Sequence, residues 1–158
     1  MRFTQSPQSP QSPDENQIAR VVLDAAFRIH TALGPGLLES VYEVVLAQKL
    51  ARQNFAIQRQ LPIPVHFEEL KFDEGFRADI VVNGLLLIEV KSVEALSRVH
   101  SKQVLTYLRL SGLKLGLLIN FGEASLKNGI KRIVNGLSGE NPSQNLADSA
   151  DFARTPNL

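Results

Sequence analysis

The segment FRADIVVNGLLLIEVKS, residues 76–92, carries the residue types best suited to chemistry. Asp79, Glu89 and Lys91 supply two carboxylates and one ammonium. Like charges about 4 Å apart repel by roughly 4 kcal/mol at an effective dielectric near 20, so neighbouring carboxylates need compensation. A hard divalent cation provides it: Mg2+ characteristically takes one or two carboxylates and keeps several waters. Lys91, two residues past Glu89, would neutralise a phosphate oxygen or help orient a metal-activated water. The plainer alternative is a solvated ion-pair patch, because Glu-x-Lys by itself is common.

Whether those groups meet depends on strand register. Phe76, Ala78, Ile80 and Val82 are apolar at even numbers, as are Leu86, Ile88 and Val90; Arg77, Asp79, Glu89 and Lys91 are polar and odd. Asn83 and Gly84 between the two runs signal a hairpin. A two-residue loop would set the apolar faces against each other and turn Asp79 away from Glu89. A three-residue loop, with Gly84 left-handed in a G1-type bulge, aligns both apolar faces and puts Asp79, Glu89 and Lys91 together. One residue of slip flips every side chain, so burial selects the odd loop. The pattern predicts that register.

Other elements must hold this hairpin. Ser12, Pro13 and Glu15 read as N-cap, first-turn proline and capping-box acid of a first helix. Ile18, Val21, Val22, Ala25, Ala26, Ile29 and Leu33 form its stripe, and Gly34-Pro35-Gly36 stops it. A second helix, with Leu38, Val41, Tyr42, Val45, Leu46 and Leu50 buried, runs to about Asn54. Phe55 to Phe67 is extended, with Pro62 and Pro64 marking an edge strand, and EELKFDEG reads as a turn. A third helix covers about Val99 to Leu110, and LKLGLLINF is apolar enough for an interior strand. The passage from Lys91 to Phe121 suits a parallel crossover. A short element of undetermined type lies around Ile130 to Val134.

Composition narrows the function classes. The chain has 158 residues, a formal charge of +1 and no cysteine, which excludes disulfides, thiolate zinc sites and cysteine nucleophiles. Its three histidines, His30, His66 and His100, are too far apart for metal-type spacing. No apolar run is long enough to span a bilayer, and a cytoplasmic protein is expected. The Gln-Ser-Pro repeats of residues 1–12 read as a flexible leader, residues 13–137 as the folded domain and residues 138–158 as a polar tail.

GLLESVY, Gly36 to Tyr42, resembles the signature of the GxxExxY family, which is assigned to the PD-(D/E)XK nuclease-like superfamily. The likeness continues through FRADIVV, LIEVKS, SKQVLTYLRLSGLKLG and LLINFG, and covers roughly Ile18 to Val134. It implies an α/β, restriction-endonuclease-like core: a mixed central sheet flanked by helices. It implies metal ligands at Asp79 and Glu89, with the Val90 carbonyl beside them, and a catalytic lysine at Lys91. Ala78 stands where many members have proline before the first acid. Glu39 matches an acidic residue near the metal, and Gln103 a polar position on the helix after the hairpin.

Each assignment has a structural alternative. Glu39, in a first helical turn, is favoured there by the helix dipole alone. Tyr42 lies on an apolar stripe and reads as core. Gln103, Tyr107 and His100 share a helix face and could line the site, with packing as the alternative for Tyr107 and a surface position for His100. Arg77 would meet a phosphate or pair with a nearby acid. Lys127, Lys131 and Arg132 read as a solvated face or as contacts to a nucleic-acid backbone. The expected function is phosphodiester hydrolysis in DNA or RNA with Mg2+ or Mn2+; the rival is a silent nuclease-like module that binds nucleic acid or protein. A core this small would need a homodimer or a partner protein to span a duplex.

Overall fold

The structure, a computed structural model, describes residues 11–137. The expected tail, residues 138–158, lies outside the described residues, as does all of the expected leader except Gln11 and Ser12. The elements run α1 (Glu15–Leu33), α2 (Glu39–Arg52), β1 (Ile57–Phe67), β2 (Leu70–Val82), β3 (Leu86–Lys91), α3 (Arg98–Ser111), β4 (Leu115–Asn120), a 3-10 turn (Leu126–Gly129) and β5 (Ile130–Val134).

The strands form one sheet in the order β1-β2-β3-β4-β5. All neighbours are antiparallel except β3 and β4, the pair joined through α3. Parallel neighbours require such a crossover, and its helix covers a sheet face. Buried residues of α1 and α2 pack on Ile80, Val82, Leu86, Ile88, Val90, Leu117 and Ile119. Val104 and Leu108 of α3 pack on Ala78, Val81, Leu87 and Leu118 across the opposite face. The central strands are therefore buried on both sides, and all six residues of β4 are buried, as the run LKLGLLINF anticipates. Among the described residues no helix is long and apolar enough to cross a membrane.

Several boundaries differ from the sequence expectation. Helix α1 is capped by Asp14, not Ser12: the Asp14 carboxylate accepts from Gln17 N at 2.8 Å, and Gln17 Oε1 accepts from Asp14 N at 2.9 Å. Ile18 is the first buried residue, so starting the helix earlier adds no core contact. Leu33, Leu38 and Val41 are exposed rather than part of their stripes. EELKFDEG is not a turn: only Glu68 and Glu69 turn, and β2 begins at Leu70 opposite Phe67, with Phe72 opposite Val65. Leu70 and Phe72 alternate with Lys71 and Asp73, a period-2 pattern that the segment's many charges conceal.

The β2–β3 hairpin takes the anticipated register. Val82 pairs with Leu86, Val81 with Leu87 and Ile80 with Ile88, leaving Asn83, Gly84 and Leu85 as the loop. Both Asn83 and Gly84 have positive φ, 52° and 64°, and Leu85 N donates to Val82 O at 2.9 Å. The left-handed region thus extends one residue further than the bulge read from sequence.

Candidate active site

Backbone pairing between β2 and β3 ends at Ile80 and Ile88. Beyond that point side chains take over. Val90 N donates to Asp79 Oδ2 at 2.9 Å, and Asp79 N donates to Glu89 Oε1 at 3.4 Å. Amide groups this deep need acceptors, and here each strand's carboxylate serves the other strand's backbone. Asp79 and Glu89 are thereby held against each other at the open end of the hairpin.

The electrostatics follow from that arrangement. Glu89 is 6 % exposed. Burial, then the neighbouring Asp79 charge, pushes its carboxyl up to about 8, while the Lys91 ammonium pulls the other way. At neutral pH the acid pair therefore retains a proton. A bound cation would supply the missing positive charge, and the donor chemistry fits one: two carboxylates are hard oxygen ligands of the kind Mg2+ and Mn2+ take. Tyr107 of α3 stacks on Phe76 with centroids 3.9 Å apart. Burial and the Glu89 and Asp79 charges raise its phenol above the usual range.

On its other edge, β2 meets an irregularity in β1. Arg59 pairs with Ile80 and Leu61 with Ala78, but the pairing skips Gln60 and Asp79 between them. Gln60 has φ 49°, a left-handed conformation that costs a residue with a Cβ about 1–2 kcal/mol. Across this point β2 changes allegiance. Phe76 and Ala78 pack with the α3 side, although Ile80 and Val82 pack with α1 and α2. The sequence pattern places all four on one face; in the structure they separate at the point opposite Gln60. The Gln60 amide donates to Glu43 Oε1 and Oε2 at 3.1 and 3.0 Å and to Asp79 Oδ1 at 3.3 Å. Glu43, 6 % exposed, also takes Arg59 Nε at 3.3 Å.

A cleft of about 840 Å³ opens between α2 and the hairpin, lined in part by Glu39, Glu43, Gln60, Asp79, Ser92 and Glu94. Its walls are tied together. The buried Tyr42 hydroxyl donates to Gly34 O at 2.6 Å and accepts from Leu37 N at 3.1 Å, fixing the turn before α2. Ser92 Oγ donates to Leu37 O at 2.6 Å, joining that turn to the end of β3. Buried Asn120 accepts from Val93 N and donates to Val93 O, both at 2.9 Å. Gly122 lets the two loops touch, since a Cβ there would lie 2.2 Å from Val93 O.

The residues singled out by sequence fall into two groups. Asp79, Glu89, Val90 and Lys91 come together at the hairpin mouth, and Glu39 stands on the cleft wall. The others have different partners or stand exposed. Gln103 is exposed on α3 and makes no hydrogen bond to the mouth among the described residues. Arg77 is held by Glu74 in an exposed ion pair. His100 Nδ1 accepts from Ser97 N at 3.1 Å at the start of α3. Lys127 is exposed on the 3-10 turn. Lys131 and Arg132 are consecutive strand residues and point to opposite faces. Arg132 reaches Asn16 of α1 at 2.7 Å, so these three cations do not gather into one patch.

Sequence reasoning missed Glu43, Gln60 and Asn120. Glu43 carried a readable signal: it lies four residues after Glu39 and beside the stripe of Tyr42, Leu46 and Leu50, where an acid needs a partner. Gln60 and Asn120 carried none, since their roles arise from a backbone kink and a loop contact.

A family model described as the PD-(D/E)XK nuclease superfamily matches residues 16–133. No curated protein matches the chain, and no solved structure does.

Proposed function

The chain belongs to the PD-(D/E)XK nuclease superfamily, and from that premise we propose that it is a nuclease of the GxxExxY branch, dependent on Mg2+ or Mn2+ and acting on DNA or RNA. The observation that carries the reading is the contact between Asp79 and Glu89 at the hairpin mouth, with Lys91 on the adjoining residue of the same strand face.

Asp79, Glu89 and the Val90 carbonyl would hold the cation. When bound, such an ion polarises a phosphoryl oxygen and lowers the pKa of water. Glu89 must give up its proton to act as a ligand, so the cation and the proton compete for the same carboxylate. Lys91, close enough to Glu89 to oppose its raised pKa, would place its ammonium against negative charge developing on phosphate oxygens. Glu39, across the cleft, would extend the acidic lining toward a second cation. Lys127 and Lys131 would meet backbone phosphates.

One observation favours the rival reading of a silent nuclease-like module. Among the described residues, no group of three or more His, Cys, Asp or Glu side chains is arranged to hold a metal ion. Purified protein incubated with single- and double-stranded DNA and RNA, in Mg2+, Mn2+ or EDTA, separates the two. The nuclease reading expects cation-dependent cleavage that Asp79→Asn and Lys91→Ala each reduce by roughly 10³-fold or more. Cleavage that survives both substitutions rejects the assignment.

A further inference from the structure

We infer that Gln60 is a positioning residue: its side-chain amide and its left-handed backbone together set the Asp79 carboxylate for cation binding. The inference rests on the metal-dependent reading above and adds a residue to it.

The first support is conformational. Four non-glycine residues have positive φ among those described: Asn54, Gln60, Glu68 and Asn83. Asn54, Glu68 and Asn83 lie in turns between elements, whereas Gln60 lies inside β1. Strain of this kind persists where the surroundings over-determine it, and it concentrates at functional sites. The register of β1 on β2 is the same on either side of Gln60, so the distortion corrects no slip. It coincides with the unpaired position opposite Asp79 and with the change of face between Ala78 and Ile80. Asp79, left out of the strand pairing there, lines the cleft.

The second support is the bonding. Buried Glu43, itself held by Arg59, fixes the Gln60 amide from behind through both carboxylate oxygens. That amide then donates to Asp79 Oδ1, while Val90 N donates to Asp79 Oδ2. Each Asp79 oxygen thus has one amide donor fixing its direction. A neutral amide suits this position. It donates to two acids without adding a charge, where a carboxylate would add a third negative group and a lysine would compete with the cation.

The opposite sign is also physically definite. If the amide blocks the cation instead of preparing its ligand, removing it must tighten binding. Gln60→Gly tests this, because glycine accepts the backbone conformation and removes the amide with the rest of the side chain. Gln60→Asn is the second variant: asparagine tolerates left-handed φ but is one methylene too short. Both take donors from buried Glu43, so both should melt modestly below the wild type in EDTA while remaining folded. Both should weaken Mn2+ binding, read by calorimetry or electron paramagnetic resonance, by about 10–100-fold, the range seen when groups that orient a ligand are removed. Any cleavage should fall in kcat with KM for nucleic acid unchanged. An unchanged or tightened Mn2+ affinity in both variants overturns the inference alone. Absence of Mn2+ binding by the wild-type protein overturns the inference together with the metal-dependent reading.

Discussion

Near its turn, the β2–β3 hairpin is held by backbone pairing and by apolar side chains buried on both faces: Val82 opposite Leu86, Val81 opposite Leu87, Ile80 opposite Ile88. At its mouth the same two strands are held by carboxylates that accept from each other's amides. The first region is stabilised by burial, and its parts are exchangeable for others of similar shape. The second places one charge-bearing group against another inside a protein, an arrangement that is unfavourable without a proton or a cation between them. Within one hairpin, then, stability and chemistry occupy different ends.

This separation predicts opposite outcomes for substitutions in the two ends. Leu87 is fully buried between β2, β4 and the α3 face. Leu87→Ala should lower the unfolding free energy by about 2–5 kcal/mol, measured by urea titration. Turnover per folded molecule should be unchanged at a temperature where the variant stays folded. Asp79→Asn should do the reverse. Its remaining carbonyl oxygen can still accept from Val90 N, and the repulsion with Glu89 is gone, so metal-free stability should hold or rise while cleavage is lost. If Asp79→Asn destabilises the fold as much as Leu87→Ala, the mouth is chiefly structural and the contrast fails.

A smaller effect concerns the proton on Glu89. Its folded pKa, about 8, lies above the ordinary carboxylate value of 4.5. Between those values the folded state keeps a proton that the unfolded state has released. Stability from this group is therefore fully present below about pH 4.5, is lost as pH rises toward 8, and is level above that. The total is up to a few kcal/mol, because each pKa unit corresponds to about 1.4 kcal/mol and the Asp79–Glu89 pair titrates jointly. Urea unfolding in EDTA should show this decline for the wild type, and Glu89→Gln should flatten it. Stabilisation by Mn2+ should grow over the same window. A wild type as stable as Glu89→Gln at pH 9 would remove the premise that charge is stored at the mouth.

The two ends also differed in how far sequence could read them. The register was legible because parity and burial leave only one loop length that aligns the apolar faces, and the meeting of Asp79 with Glu89 follows from it. The mixed sheet and the β3–α3–β4 crossover were legible from the order of apolar runs. What escaped was local and non-repetitive. No pattern announces that Gln60 will adopt a left-handed conformation, nor that Phe76 and Ala78 will pack on the α3 side while Ile80 and Val82 do not. Nor does composition show that Lys131 and Arg132 face opposite sides until the segment is known to be a strand. Charges at Glu68, Glu69, Asp73 and Glu74 hid the start of β2 by masking the alternation of Leu70 and Phe72, which face Phe67 and Val65 of β1.

The smallest expected effect tests whether the turn or the buried faces fix the register on which the mouth depends. Gly84 has φ 64°, and a Cβ built there meets nothing within 4 Å. Gly84→Ala therefore carries only the backbone penalty of a left-handed residue, about 1 kcal/mol. Gly84→Asn should lose less, since asparagine is at home in that region; its neighbour Asn83 already adopts it at φ 52°. If burial sets the register, both variants keep cation-dependent cleavage in proportion to their folded fraction. A one-residue slip would turn Leu87 and Val81 out of the α3-side core and swing Glu89 away from Asp79, a far larger loss than the turn can impose. Cleavage that disappears in Gly84→Ala while the protein stays folded would show the reverse: the turn, and not the core, delivers the two carboxylates to one another.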